Sequence, residues 1–426
     1  MPSCSEDFAF RGLIHQVSDP TLLPRLDAGG ESVYVGFDPT ADSLQMGNLL
    51  QLCTLRRLQL AGHRPIAVAG SGTGLIGDPG ERAEERPLIS RAELEANLVG
   101  IRPQLERFLD FSPSSEHAAL VVDNGDWLCG LSMVDFLRNV GRHFTVNQMV
   151  AKESVRMRFD RPDQGISYTE FSYMLLQAYD FLHLFDEFGC RVQAGGSDQW
   201  GNITMGVELI RRVRGETAYA LTSPLVTTPD GTKFGKSEAG ALYLDAARTS
   251  PYALHQHLVR VEDSVVGAYL RYFTFLSHDE ITALDEATAR RPAAREAQRV
   301  LARAVCTLVH GEAETKRAEA AAGALFSEDV AALDEQTLLE VFADAPSSTM
   351  PKGALDGEGV DVVDALAASG LVASKSAART AVAQGGAYVN NRRVAADARL
   401  TAADLIAGRY IVLRRGRREQ HLLRFG

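Results

Sequence analysis

The chain has 426 residues, too many for one compact core, and is expected to fold as two or three domains. Hydrophobic residues make up 45% and charged residues 23%, the balance of an ordinary folded protein, and no uninterrupted apolar stretch reaches membrane-spanning length. A formal net charge of -11 disfavours nucleic acid as a partner of the whole chain, so any such contact must be local.

Cys4, Cys53, Cys129, Cys190 and Cys306 are odd in number and scattered, which argues against a disulfide framework and a cysteine-rich zinc site. Reduced thiols are expected, four of them buried. The histidines show no ligand spacing; His255 and His257 read as a helix pair, and no metal site is expected. The first residues, Met-Pro-Ser-Cys-Ser-Glu-Asp7, lack the basic start and apolar run of a secretory signal, so a cytoplasmic protein is expected.

In chain order, Val33, Val35 and Phe37 are strand formers stopped by Pro39, and Ser43 is the expected N-cap of a helix through Leu44, Met46, Leu49, Leu50 and Cys53. Such a helix start favours anions through its unpaired N–H groups and positive dipole end. Gly47 leaves room there for a flat base or ribose, while Thr40, Gln45 and Asn48 direct hydrogen-bonding groups into the space. The next strand, around Ile66 to Val68, leads into glycine-rich Gly70-Ser-Gly-Thr-Gly-Leu-Ile-Gly-Asp78, beyond a strand end where doubly wound sheets bind ligands; alone, these glycines equally make a flexible loop. Arg82 and Arg86 follow, either paired with Glu81, Glu84 and Glu85 or reaching a phosphate.

Alternation of strand and helix patterns from about Val33 to Leu225 predicts an α/β fold with a doubly wound parallel sheet. Residues 130–186 read as a helical insertion, with Phe136, Leu137, Val140 and Phe144 at helical spacing. Trp127 and Trp200 read as packing residues. Further on, Asp230-Gly-Thr-Lys-Phe-Gly-Lys-Ser237 places Lys233 and Lys236 three apart on a glycine-containing loop, suited to a polyphosphate, although a hairpin turn with solvated lysines has the same pattern. An alanine-rich helical block runs from Pro251 to about Leu325, and Ala345 to Gly359 has linker composition. Val363 to Ser369 and Lys375 to Gln384 read as two short helices, followed by a hairpin turning at Asn390-Asn391, and from Gly370 onward eleven Lys and Arg face only Asp397, Asp404 and Glu419. Lys375, Arg379, Arg392 and Arg393 make this an RNA-facing end.

Five segments together resemble the bacterial tyrosyl-tRNA synthetases, a class I aminoacyl-tRNA synthetase family, essentially end to end. They are Tyr34-Val-Gly-Phe-Asp-Pro-Thr-Ala-Asp-Ser-Leu44, Gly74-Leu-Ile-Gly-Asp-Pro79, Phe171-Ser-Tyr-Met-Leu-Leu-Gln-Ala-Tyr-Asp180, Gly195-Gly-Ser-Asp-Gln-Trp-Gly-Asn202 and Lys233-Phe-Gly-Lys-Ser237. The third and fourth separate the chain from tryptophanyl enzymes and small nucleotidylyltransferases. The resemblance implies a Rossmann-like catalytic domain at 1–225 with a dimerisation insertion at about 130–186, and a nucleotide-closing loop plus α-helical anticodon-side domain at 226–330. A linker at 331–358 and a basic α+β RNA-binding domain at 359–426 complete it.

It also implies activation of tyrosine by ATP, with Mg²⁺ carried on the ATP, transfer to tyrosine-accepting tRNA, and a homodimer. By resemblance Tyr34 and Asp180 read the phenol, Asp78, Tyr173 and Gln177 hold the α-ammonium, and Gln199 lies near the carboxylate. Asp38, Gly47, Asp198, Lys233, Lys236 and Ser237 bind ATP, while Thr40, Gln45, Asn48, Arg82, Arg86, Lys233 and Lys236 serve the phosphoryl chemistry. One departure is clear: the family's His-Ile-Gly-His, or a near variant, is here Gln45-Met-Gly-Asn48. A glutamine amide donates a hydrogen bond but cannot become cationic, so lowered turnover is expected. The alternatives are an RNA-binding paralogue with weak activation, or a specialised or inhibitor-resistant duplicate.

Overall fold

The structure, a computed structural model, describes residues 2–79, 89–152, 155–156, 165–229, 231–232, 234–237, 240–324, 327–343, 345–395, 397–416 and 419–426, with Lys236 and Ser237 described by backbone alone. Arg82, Arg86 and Lys233 therefore lie outside the described residues, as do the side chains of Lys236 and Ser237. The chain divides into two compact units, 1–249 with 259–309 and 250–258 with 310–426. The expected single helical block is thus shared between them: the helices Asp263–Phe273, His278–Arg290 and most of Glu296–His310 belong to the first unit.

The first unit is built on six strands: β1 (Gln16–Val17), β2 (Ser32–Phe37), β3 (Arg64–Ala69), β4 (Leu120–Asp123), β5 (Val192–Gly196) and β6 (Tyr219–Ser223), in the order β1-β6-β5-β2-β3-β4. All pair in parallel except β1, which adds antiparallel to β6 at one edge. The central strand β2 carries Val33, Tyr34, Val35 and Phe37 on both faces, each at most 3% exposed, as expected of a strand covered on both sides. Chain order reverses between β2 and β5, opening a crevice at their carboxyl ends. Asp38 leaves β2 at one side of it and Gly195 to Gln199 leave β5 at the other.

The helix after β2 does not start as expected. Ser43 caps nothing; its hydroxyl donates to the Leu44 carbonyl (2.9 Å) and accepts from the Asp245 N–H (3.1 Å). The cause is long-range: residues 242–244 bond to the backbone of Leu44 and Met46, which keeps the chain extended through Gln45. A 3₁₀ turn at Met46–Asn48 then leads into the helix Leu49–Leu60, and Asn48 Oδ1 accepts from the Gln45 N–H at 3.0 Å.

The helix Tyr168–Phe188 crosses the sheet from a Ser167 cap, whose hydroxyl accepts from the Glu170 N–H, to Gly189 in the left-handed conformation (φ 62°). Its residues 173, 177, 180 and 184 recur at helical spacing on one face. In the insertion, Val140 and Phe144 are buried, whereas Leu137 is exposed with Met133, Val134, Val146 and Tyr168. All five cysteines are free; Cys53, Cys190 and Cys306 are buried, but Cys4 is only half-buried, so three rather than four are enclosed. No helix among the described residues is long and apolar enough to cross a membrane.

In the second unit, β11 (Ala387–Val389) and β12 (Arg392–Arg393) form the expected hairpin, with Asn390 and Asn391 at φ 46° and 62°, as a type I′ turn requires. With β14 (Tyr410–Arg415), β15 (Glu419–Phe425) and β9 (Ser347–Met350) they make a five-stranded sheet, order β12-β11-β14-β15-β9. The helices Val362–Ala368 and Lys375–Ala383 share a core with it. The stretch expected as a linker is structured: it contains the helix Glu335–Val341, capped by Asp334, and β9, which pairs in parallel with β15. Burial drives this, because Leu338 and Phe342 pack with Val330 against Ile406, Tyr410, Val412 and Leu422.

Candidate active site

A cavity of about 360 Å³ opens at the crevice between β2 and β5. Tyr34, Asp38, Thr40, Gln45, Gly47, Asn48, Asp78, Tyr173, Gln177, Asp180, Asp198 and Gln199 all line it, so the described first-unit residues expected at the tyrosine and ATP sites, apart from those of the lysine loop, meet in one place. Lys236 and Ser237 enter as β7 (Lys236–Ser237), paired with β8 (Gly240–Ala241). Leu242 links that loop to the helix start, its N–H donating to Gly235 O (2.7 Å) and its carbonyl accepting from the Met46 N–H (2.9 Å). Phe234 anchors the loop, buried against the rings of Tyr269 and Phe273 at 4.5 and 5.3 Å.

At the cavity floor lies Asp180, 3% exposed. Burial pushes its carboxyl up to about 8, against the opposing pull of two donors: Asn124 Nδ2 on Oδ2 (2.9 Å) and Trp127 Nε1 on Oδ1 (2.7 Å). Tyr34, 1% exposed, has no hydrogen-bond partner for its hydroxyl among the described residues, and the hydroxyl pKa is raised by burial and then by the Asp180 charge. Gln51 Oε1, Gln177 Oε1 and Gln193 Oε1, on residues that line this cavity, are likewise buried without partners among the described residues. Stranding such atoms costs about 1–3 kcal/mol each, so the cavity is built for a polar occupant.

Nearer the mouth, Asp38 accepts from Thr73 Oγ1 and from the Tyr173 hydroxyl, both at 2.9 Å. Asp78 accepts from Gln199 Nε2 (2.6 Å), and Asn202 bridges the two. Carboxylates held this way suit an ammonium group or ribose hydroxyls. Trp127, expected only to pack, instead donates to Asp180, and Asn124 and Thr73 join it through contacts that no periodic pattern announces. The signal available in the sequence was a polar Asn-Gly-Asp-Trp127 run immediately after a strand.

The basic residues chosen in the tail lie in the second unit. Lys375 pairs with Asp364 (2.8 Å) and Arg392 with Glu328 (3.1 Å), Arg393 donates to Gln384 O (3.3 Å), and Arg379 is exposed.

Comparison with known proteins places these features in context. Residues 29–327 match the family described as tRNA synthetases class I (W and Y), and residues 339–423 match the tyrosine–tRNA ligase SYY-like C-terminal domain. The chain is similar to the tyrosine–tRNA ligase of Roseiflexus castenholzii, 52% identical over 425 residues and covering 100% of both chains. It is similar too to that of Rhodopirellula baltica, 47% identical over 424 residues, 99% of this chain and 96% of the other. Among solved structures, a C-terminally truncated mitochondrial tyrosyl-tRNA synthetase from Aspergillus nidulans aligns with TM-score 0.68 and 30% identity, over 76% of this chain and 95% of that one.

Proposed function

Because the chain belongs to the tyrosine–tRNA ligase family of class I aminoacyl-tRNA synthetases, we propose that its cavity seats tyrosine with the phenol between Tyr34 and Asp180 and ATP over the Gln45 segment. The reaction joins tyrosine to ATP as tyrosyl-adenylate, releasing pyrophosphate, and then passes the tyrosyl group to the terminal adenosine of tRNA. The observation that carries the assignment of residues is a buried Tyr34 hydroxyl, without a partner among the described residues, within reach of the charge of the buried Asp180 carboxyl. A phenol meets both needs: its O–H donates to Asp180 and its oxygen accepts from Tyr34. Phenylalanine would leave the Tyr34 hydroxyl without its acceptor and deny Asp180 the donor of the phenol, which is the basis of strong discrimination.

Asp78, Tyr173 and Gln177 hold the α-ammonium, with Asp78 oriented by Gln199, which also approaches the carboxylate. Asp38 and Asp198 take the adenylate side, Asp198 on the ribose, where Gly47 gives the base a close approach. The tyrosine carboxylate attacks the α-phosphorus, and no protein nucleophile is needed. Thr40, Gln45, Asn48 and the N–H groups of the helix start stabilise the departing pyrophosphate, joined by Arg82, Arg86, Lys233 and Lys236 from their loops. Mg²⁺ enters with ATP, held by phosphate oxygens and water.

The exposed apolar residues Met133, Val134, Leu137, Val146 and Tyr168 of the insertion form the contact of a homodimer, and the tail binds tRNA in the cytoplasm, where both substrates are found. Relatives aligned over the full length are ligases, and no observation favours a non-catalytic RNA-binding paralogue. Tyrosine-dependent exchange of labelled pyrophosphate into ATP tests the assignment. Exchange is expected with tyrosine and strongly reduced with phenylalanine; equal rates with both would overturn the Tyr34–Asp180 reading.

A further inference from the structure

Asp180 is held from behind by a residue whose own position needs an explanation. Trp127 brings its Nε1–H to Asp180 Oδ1 at 2.7 Å, yet it is only partly buried and its surroundings are open on one side. There a second cavity, of about 440 Å³, runs between the edge strand β4 and the helix Arg91–Phe108. An indole beside a space of that size has room to swing away from its acceptor. What faces it is His183, stacked on the indole at 4.3 Å between ring centroids and 22° between planes. His183 follows Asp180 by one helical turn, so the helix that carries the carboxylate also carries the ring that packs on its donor.

We propose that His183 is a positioning residue for tyrosine recognition: its ring, stacked on Trp127, holds the indole N–H on the Asp180 carboxylate and so favours the charged form that accepts the substrate hydroxyl. The inference rests on the reading of Asp180 as the phenol acceptor. Stacked aromatic pairs restrict each other at distances of this order, and a donor aligned on a carboxylate favours its ionised form. Several charged groups surround His183. Asp186 and Glu187 stand on its own helix, Asp123 and Asp126 come from β4 and the short helix Gly125–Leu128 after it, and Arg102 comes from the helix across the cavity. Burial keeps the imidazole pKa below its ordinary value despite the two neighbouring carboxylates, so at pH 7 and above it acts as a neutral ring.

The test is the pH dependence of KM for tyrosine in pyrophosphate exchange, for the parent, His183→Leu, His183→Phe, Trp127→Phe and the double variant His183→Leu/Trp127→Phe. His183→Leu should raise KM for tyrosine at pH 7 by about two- to tenfold, as when one hydrogen bond to the carboxylate is weakened rather than lost, and move the midpoint of the profile upward by roughly half a unit. KM for ATP should hold steady. His183→Phe, which keeps a flat ring, should restore both values, and His183→Leu should have no added effect once Trp127→Phe has removed the N–H. A His183→Leu midpoint equal to the parent's would overturn the proposal, as would an equal shift in the Trp127→Phe background. A parent enzyme that fails to exchange with tyrosine at all would instead overturn the reading of the site, a separate outcome.

Discussion

Gly235 of the lysine loop lies against Met46 of the helix start so closely that a β-carbon on it would stand 2.7 Å from Met46 Cβ. Its φ of 89° is also one that L residues rarely adopt. The loop and the Gln45 segment therefore meet through bare backbone, and Leu242 stitches them together with two hydrogen bonds. Gly235→Ala should lower kcat for activation at least tenfold, since left-handed strain alone costs roughly 1–2 kcal/mol and the contact adds to it. Tyrosine binding measured by equilibrium dialysis should stay near the parent value. A Gly235→Ala enzyme with unchanged kcat would mean that the loop works in another position.

Gln45 lines the cavity at the start of the 3₁₀ turn, where its backbone N–H is held by Asn48 Oδ1 at 3.0 Å. If it donates there mainly in the transition state, Gln45→Ala should lower kcat by the equivalent of about 0.5–1.5 kcal/mol with little change in either KM. Gln45→His should equal or exceed the parent. Lys233→Ala and Lys236→Ala should cost more, because charge-assisted contacts to phosphate are stronger than neutral ones. Exchange kinetics on the four variants give the ranking, and a Gln45→Ala enzyme as fast as the parent contradicts it.

Asp180 makes a pH prediction with a definite sign. Its carboxyl is raised from 3.8 to about 8 by burial, so between those values the native state keeps a proton that the unfolded chain has lost. Stability relative to a variant without this group therefore falls as pH rises through the window and levels off above it. In thermal melts from pH 5 to 9, Asp180→Asn should gain on the parent with rising pH, whatever fixed penalty its amide meets opposite Asn124 and Trp127. Function runs the other way: the carboxylate is the acceptor, so KM for tyrosine in the parent should fall as pH rises towards 8. A flat difference in melting temperature would show Asp180 ionised throughout.

How legible this was depended on the range of the interaction. Tyr34, Asp38, Tyr173, Gln177 and Asp180 are recognisable through the family motifs that carry them, since alone Tyr34 reads as a core aromatic and Asp180 as a surface charge; the spacing of four adds only that Tyr173 and Gln177 share a helix face. Asn124 and Trp127 reach Asp180 across more than 50 residues, with no periodic pattern to announce the contact. Ser43 misleads for the same reason. Locally it is a good cap, but residues 242–244 claim the neighbouring backbone and move the helix start to Met46. Residues 345–359 have a linker's Pro, Ser and Gly content, yet β9 within them pairs with β15, and Leu338 and Phe342 just before them pack on residues of β14 and β15.

That last point decides how the tail should be tested. A cut at Pro351 would leave β9 without β15 and strip the cover from Val330, Leu338 and Phe342, so lost activity would report an exposed apolar face rather than lost RNA contacts. Single basic residues are the better probe, and they differ in what they give up. Lys375 and Arg392 hold carboxylates at 2.8 and 3.1 Å, so a phosphate must displace Asp364 or Glu328 first. Arg379 is exposed and has no ion pair among the described residues, which leaves its charge available. Arg379→Ala should therefore weaken tRNA binding more than Arg392→Ala, and lower the slope of log K against log salt by about 0.7–0.9 if it meets one phosphate. Tyrosine-dependent pyrophosphate exchange should be unchanged in both, because the basic tail and the cavity belong to different units. Filter binding of the tRNA across a salt series, with exchange measured on the same preparations, separates the two effects. A loss of affinity without any change in salt slope would show that Arg379 contacts something other than the phosphate backbone.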